Sequence, residues 1–252
     1  MPAVRLMTLN LRFSAEDDGP NHWFKRWPHV KALIEALRPD VLGVQECMPN
    51  QLVALAGELG GYFTYAGPDA MTRQADGITV HNALFVCEPC IAPERESALA
   101  LNATGVIGQV SWDGHRPRLA HLLHFDGWTL VNTHFDTHRS GVDTVQARLE
   151  SARLLVKALR DAPAAVIMGD LNCAPDSPPI QVFREAGFAL AKDSLPPEID
   201  RRTFHKFTGQ GIVELDYILL RGARVLDVQI PRPRSEPPYL SDHDPLVVDV
   251  EI

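Results

Sequence analysis

The sequence is short of several things, and each shortage narrows what the chain can be. No apolar run approaches the roughly 20 residues of a membrane-spanning helix, so no membrane association is expected. Basic residues are in deficit: 24 Lys and Arg face 32 Asp and Glu, a formal net charge of −8. That balance, with no Lys/Arg block, argues against a strong grip on duplex DNA through phosphate neutralisation. Cysteine is sparse. The "CEPC" at 87–90 has C-x-x-C spacing, but no second pair completes a zinc site, so Cys87 and Cys90 read as reduced thiols. There is no G-x-S-x-G elbow, which excludes serine acyl transfer of that type, and no Walker glycine loop or H-E-x-x-H. The N-terminus, "MPAVRLMTLNLRF", lacks the apolar core and small-residue cleavage site of a signal peptide, so a cytoplasmic location is expected. No linker, low-complexity run or short-period repeat divides the chain, and residues 1–252 are expected to form a single domain. A monomer is the expected state.

What is there is a series of short apolar runs alternating with helical patterns. Residues 3–11 read as a strand. Val30, Leu33, Ile34 and Leu37 have helical spacing that stops before Pro39. "DVLGVQ" (40–45) is a buried strand, and residues 50–59 place Leu52, Leu55 and Leu59 on one helical face. From 77 to 135 the pattern is strand-rich: "GITVHNALFV", "VIGQVSW", "RLAHLLHF" and "WTLVNTHF". An amphipathic helix over 143–160 carries Val145, Leu149, Ala152, Val156 and Leu159 on one stripe, with Asp143 as N-cap. After "AAVIMGDLN" and a short helix near 177–186, strands return: "GFALA", "RTFHKF", "GIVELDYILL", "ARVLDVQI" and "DPLVVDVEI". The stretch "PRPRSEPP" (231–238) reads as a loop. Many strands with few helices predict packed sheets flanked by helices.

Several apolar runs end in residues that a core would not choose. Thr8, Asn10 and Arg12 share a strand face, as do Asn132 and His134, and Asp170 and Asn172. "VLGVQE" ends in Glu46, and Asp242 and His243 stand just before the last strand. Asp216 is in phase with Ile218 and Leu220, so its carboxylate points inward and needs a partner. His243 is the natural one, because a carboxylate fixes an imidazole's tautomer and raises its basicity. Singly, a strand-end Asn or Asp is a turn residue or a helix cap. Together, these carboxylates and amides suit a hard cation such as Mg²⁺ or Mn²⁺.

The motifs "TLNLR" (8–12), "PDVLGVQE" (39–46), "NTHF" (132–135), "GDLN" (169–172), "LDYI" (215–218) and "SDHDP" (241–245) stand in the order seen in the endonuclease/exonuclease/phosphatase superfamily, the deoxyribonuclease I-like group. The chain resembles its small bacterial members over nearly its whole length. The resemblance implies an α/β fold, a four-layered sandwich of two packed, mainly antiparallel or mixed sheets flanked by helices, with the site at one edge. It also implies a phosphoesterase dependent on Mg²⁺ or Mn²⁺. On that likeness Glu46 is the principal metal ligand, with Asn10 nearby and Asp242 assisting. Asp170 orients the attacking water, and Asn172 holds water or phosphate. His134 and His243 flank the phosphate, His134 as the candidate acid with His243 able to share that role, and Asp216 orients His243.

The expected substrate is a small or single-stranded phosphodiester, such as a phosphorylated small molecule or short single-stranded nucleic acid. A phosphomonoester of a sugar, inositol or nucleotide is the alternative, and a non-catalytic binding module a distant third. Arg12, His138, Arg139, Asn82 and His205 are candidate substrate contacts. "HNALFVCE" lacks the acidic residue found near its start in many small bacterial relatives, with Asn82 close to that place. "LNATG" departs from their tryptophan-containing stretch. Trp23 and Arg26 read equally as entrance residues or as a hydrophobic staple with a surface ion pair.

Overall fold

The computed structural model describes residues 3–66, 71–73, 77–87, 91–138 and 143–252, with side chains of 71–73 left aside. The chain order is β1 (Ala3–Asn10), α1 (Trp23–Leu37), β2 (Val41–Gln45), α2 (Pro49–Glu58), β3 (Tyr62–Tyr65), β4 (Met71–Arg73), β5 (Thr79–His81), β6 (Leu84–Cys87), β7 (Arg95–Ala100), β8 (Leu119–Phe125) and β9 (Trp128–His134). It continues with α3 (Val145–Leu159), β10 (Ala164–Asp170), α4 (Pro178–Glu185), β11 (Ala189–Leu190), β12 (Asp216–Arg221), β13 (Arg224–Gln229) and β14 (Leu246–Glu251).

The strands form two mixed six-stranded sheets, ordered β13-β14-β1-β2-β6-β3 and β11-β12-β10-β9-β8-β7, beside a small β4-β5 ribbon. Each large sheet holds a parallel pair, β1 with β2 and β9 with β10, so neighbouring strands in each sheet end at the same edge.

Strand periodicity builds the layers. On β10, Val166 and Met168 meet Leu6, Leu84 and Val248 between the sheets. Ala165 and Ile167 point the other way, towards Leu155 and Leu159 of α3 and Phe183 of α4. Met7, Leu9 and Leu42 likewise pack outward against Val30 and Ile34 of α1 and Leu55 of α2. The result is helix, sheet, sheet, helix, and each fully buried Leu, Val or Phe contributes about 1.5–3 kcal/mol. Among the described residues, no helix is long and apolar enough to cross a membrane.

A polar stitch crosses the apolar middle. Gln45 Nε2 donates to Asn132 Oδ1 (2.7 Å) and to Thr8 Oγ1 (3.0 Å). Asn132 Nδ2 returns to the carbonyls of Val44 and Ala83 in the opposite sheet. Asn132 therefore ties the sheets together just behind the strand ends that carry polar residues.

Some sequence expectations are corrected. "VIGQVSW" is a loop rather than a strand, because Asn102 organises it: Oδ1 accepts from Thr104 and Gly105 N–H, and Nδ2 donates to the carbonyls of Val106 and Gln109. The edge position beside β8 goes to β7, whose charged residues concealed it. "RTFHKF" makes only isolated bridges at Phe204, since Lys206 and Phe207 are both left-handed (φ 50° and 58°). In α3 the buried residues are Ala147, Arg148, Ser151, Ala152, Leu155 and Leu159; Ala152 and Leu159 of the expected stripe are among them, whereas Val145, Leu149 and Val156 are only half-buried. Asp143 does not cap this helix but pairs with Arg148 at 2.9 Å. Asp113, from the distant loop, takes the N–H groups of Gln146 and Ala147 instead. Cys87 is a free thiol, and Cys90 lies outside the described residues.

Gly169 is forced by a close approach. Its φ is 137°, and a Cβ there would lie 1.9 Å from the backbone oxygen of Thr133 on β9. Since backbone cannot step aside, Gly169→Ala should lower unfolding free energy by more than about 3 kcal/mol or prevent folding, as read by urea denaturation.

Candidate active site

Register, rather than chance, gathers the polar residues. In the second sheet Asp170 is directly opposite His134 on β9 and Asp216 on β12. Three chemistry-bearing side chains thus stand side by side at one level. In the first sheet Asn10 is level with Gln45, one residue before Glu46. The two rows face each other at the edge of the sandwich, where a strand end can bury most of a polar group yet leave an atom open to water. Beyond these ends the chain bends sharply: Arg12, Glu46 and Asn172 are left-handed (φ 54°, 55° and 49°). For Arg and Glu this conformation costs about 1–2 kcal/mol, strain of the kind that gathers at functional sites.

Asp170 is the hub. Its Oδ2 accepts from Asn10 Nδ2 at 3.0 Å, across the sheets, and Oδ1 accepts from the Asn172 backbone at 2.9 Å. His134 Nε2 lies 3.5 Å and His243 Nε2 3.8 Å from the same Oδ2. Burial pushes the Asp170 carboxyl up to about 7; His243 opposes the rise and Asp216 adds to it. His243 Nδ1 is 2.8 Å from Asp216 Oδ2, the pairing expected from the inward phase of Asp216. Burial alone would discharge His243, but Asp216, Asp170 and Asp242 together raise it well above an ordinary histidine. His134 goes the other way, driven far down by burial and by Arg118. The two imidazoles are thus pushed in opposite directions, His243 towards the charged form and His134 towards the neutral one.

These groups open onto a cleft of about 490 Å³ lined by Arg12, Glu46, Arg116, Arg118, His134, Thr137, His138, Asp170, Asn172, Asp242 and His243, among others. Arg12 reaches Asp18 at 3.2 Å. Asn172 donates from Nδ2 to the Phe135 carbonyl at 3.1 Å, which fixes its side chain. Asn10 is equally committed: Oδ1 takes the Arg12 N–H while Nδ2 serves Asp170, so one lone pair remains for any ligand.

Two donor sets could hold a cation. Glu46 uses Oε2 for the Phe13 N–H, and Asp242 uses Oδ1 for the Ser241 hydroxyl; each lines the cleft with a second oxygen that no described residue engages in a hydrogen bond. Asp170, Asp216 and His243 offer ligand atoms within 4.8 Å of one another, and Asp216 Oδ1 is buried with no hydrogen-bond partner among the described residues. The second set is already joined by its own hydrogen bond. The first, half-open and made of oxygen, suits a hard cation that keeps part of its water. The residues fit a hard divalent cation.

Two of the candidate substrate contacts lie elsewhere. Asn82 is buried between β5 and β6, donates to the Leu119 carbonyl and does not line the cleft. His205 is buried edge-on against Tyr239 with Nδ1 accepting from Gly209 N–H, and does not line the cleft. Arg139 lies outside the described residues. His138 and Arg12 do line the cleft.

Sequence reasoning missed Arg116 and Arg118. The signal was present in "HRPRLAHLL", where a basic residue directly precedes an apolar run. Arg118 is 6% exposed, and its Nε and Nη2 make no hydrogen bond among the described residues, though Nη2 lies 3.6 Å from Asp136 Oδ1. A buried guanidinium with unmet N–H groups facing a cleft is a ready oxyanion binder. Arg118→Met should raise the inhibition constant of inorganic phosphate at least about tenfold, the loss of one charge-assisted contact, as read by competition assay.

The endonuclease/exonuclease/phosphatase family description matches residues 7–243 of this chain. Among curated proteins none matches the sequence. A solved endonuclease/exonuclease/phosphatase from Bacteroides vulgatus superposes with a TM-score of 0.87 at 24% identity, covering 100% of both chains. A mannosyl-6-phosphatase from Bacteroides thetaiotaomicron gives 0.85 at 20% identity, over 99% of this chain and 100% of that one. D. rerio TDP2, solved with a single-strand DNA product, gives 0.72 at 15% identity over 100% of both. Identities this low speak to the shared fold. With the family match spanning nearly the whole sequence, the chain belongs to the endonuclease/exonuclease/phosphatase family of phosphoester hydrolases.

Proposed function

We propose that this chain hydrolyses a phosphodiester in a small or short single-stranded substrate with the help of Mg²⁺ or Mn²⁺. The observation that carries this reading is the convergence on Asp170 of Asn10, His134 and His243, within 3.0–3.8 Å, at the floor of an open cleft. The modest cleft and the acidic surface favour a compact substrate over a duplex.

Asn10 and the Asn172 N–H hold Asp170 so that its carboxylate faces the attacking water and takes its proton. As the new O–P bond forms, the bond to the leaving oxygen breaks in line. Asp216 fixes His243 through Nδ1, which leaves Nε2–H to deliver a proton to that oxygen. His134, uncharged, is assigned a hydrogen bond to the phosphoryl group rather than the acid's role, since a buried neutral imidazole is a poor proton donor near neutral pH. Arg116 and Arg118 face the oxygens on which charge develops. Glu46 and Asp242, with the remaining lone pair of Asn10, are assigned the cation; when bound, it withdraws charge from the phosphoryl oxygens as a Lewis acid.

A second reading is phosphomonoester hydrolysis, favoured by the unmet N–H groups of Arg118 beside Arg116, which suit a dianionic terminal phosphate. Chelator-stripped protein should be inactive on bis-p-nitrophenyl phosphate and regain turnover with Mg²⁺ or Mn²⁺. Diester turnover exceeding that on the monoester supports the first reading, and the reverse order replaces it with the second. Asp170→Asn should cut kcat by at least about a thousandfold while the urea midpoint is retained, because one proton acceptor and its electrostatic role go together. Wild-type-like turnover in that variant would sink the assignment.

A further inference from the structure

Arg26, on α1, is wholly buried, and among the described residues no carboxylate lies within hydrogen-bond reach of it. Four of its five N–H groups go to backbone carbonyls instead. Nε donates to Asn21 at 2.6 Å, Nη1 to Leu11 at 2.7 Å and Leu240 at 2.9 Å, and Nη2 to Arg12 at 3.1 Å. The acceptors are not neighbours in sequence. Leu11 and Arg12 follow Asn10 out of β1, and the next N–H, that of Phe13, holds Glu46. Leu240 opens the turn that delivers Asp242 and His243. Asn21 joins the same knot, its Oδ1 accepting from Tyr239 N–H at 3.0 Å. The rings of Trp23 and Phe207 lie 5.2 and 5.8 Å from the guanidinium carbon and close the shell.

We infer that Arg26 is a positioning residue: its guanidinium fastens the chain leaving β1 to the turn carrying Asp242 and His243, and so sets the spacing between the two walls of the cleft. The entrance and surface-ion-pair readings of the sequence are both replaced by this buried role. A guanidinium suits it, because its fork of five N–H groups meets four carbonyls at once, whereas a lysine ammonium has only three N–H groups. The cation also offsets Asp242 and Glu46 without neutralising either, and burial lowers it only to about 10, so it stays charged at neutral pH. The catalytic part of the inference rests on the reading of Asp242 and His243 as site residues; the structural part does not.

The test compares wild type with Arg26→Lys and Arg26→Ala, first metal-free by amide hydrogen exchange, then by turnover of bis-p-nitrophenyl phosphate with Mn²⁺. We expect folded variants in which exchange at Phe13 and across 239–243 quickens by about tenfold or more while β8, β9 and β10 keep their protection. In turnover, kcat should fall about a hundredfold with little change in KM, as for a displaced catalytic geometry. Methylguanidinium should restore part of kcat in Arg26→Ala and none in Arg26→Lys. Folded variants with unchanged exchange at these loops overturn the inference, as does a uniform loss of protection. Variants that fail to fold even with methylguanidinium assign Arg26 to the core alone and overturn it too. If wild type turns over no phosphoester, the proposed function fails, and the exchange data still judge Arg26.

Discussion

A carboxylate held at 2% exposure between two β-sheets is the constraint on which the site depends. An ionised carboxylate taken out of water costs several kcal/mol unless its oxygens are met by donors. Asp170 meets this cost with donors from two directions, the Asn10 amide of one sheet and its own chain's Asn172 N–H. The bond to Asn10 makes the packing of the two sheets and the poise of the candidate base one and the same fact. Gly169 belongs to this constraint, since the strand can bring Asp170 level with His134 only by pressing its backbone against Thr133.

The placement of the parallel pairs explains why such a site forms at one edge. β1 with β2 and β9 with β10 run side by side in the same direction, so strand exits accumulate there in both sheets. Exits are where backbone can turn, and the left-handed residues Arg12, Glu46 and Asn172 turn it abruptly. The Gln45–Asn132 bridge lies just behind them and keeps the sheets from sliding. Strain and stitching are coupled: the bends persist because residues on either side are over-determined by hydrogen bonds.

Much of this was legible in sequence for a physical reason. Strand period and apolar run length mark which side chains share a face, and polar residues ending such runs are costly enough to need explaining. Asp216 could be predicted to point inward from phase alone, and the structure shows its hydrogen bond to His243. What was hidden depends on loops. Nothing local says that Asp113 rather than Asp143 caps α3, or that Asn102 folds an apolar stretch away from the sheet. Arg118 was passed over and Arg26 was read as an entrance or surface residue, because sequence assigns arginine to the surface by default. Both are buried, and only the tertiary arrangement supplies the carbonyls or the cleft that make burial tolerable.

The charge pattern of the cleft follows from these same positions. Carboxylates come from strand exits and the turn before β14, whereas Arg116 and Arg118 come from the approach to β8. The acidic groups can hold a cation while the guanidinium groups hold an anion, with Asp170 and the two imidazoles between them. A phosphoryl group is the anion whose chemistry uses both: it needs charge withdrawn from its oxygens and a water deprotonated beside it. An acidic protein can therefore bind a phosphorylated substrate locally even as its overall field repels long polyanions. Under the proposed function, that contrast puts recognition in the cleft and its rim rather than on a surface-wide basic face, and makes the exposed His138 the residue whose substitution should change the kcat/KM ratio between substrates while the strand-end machinery is retained.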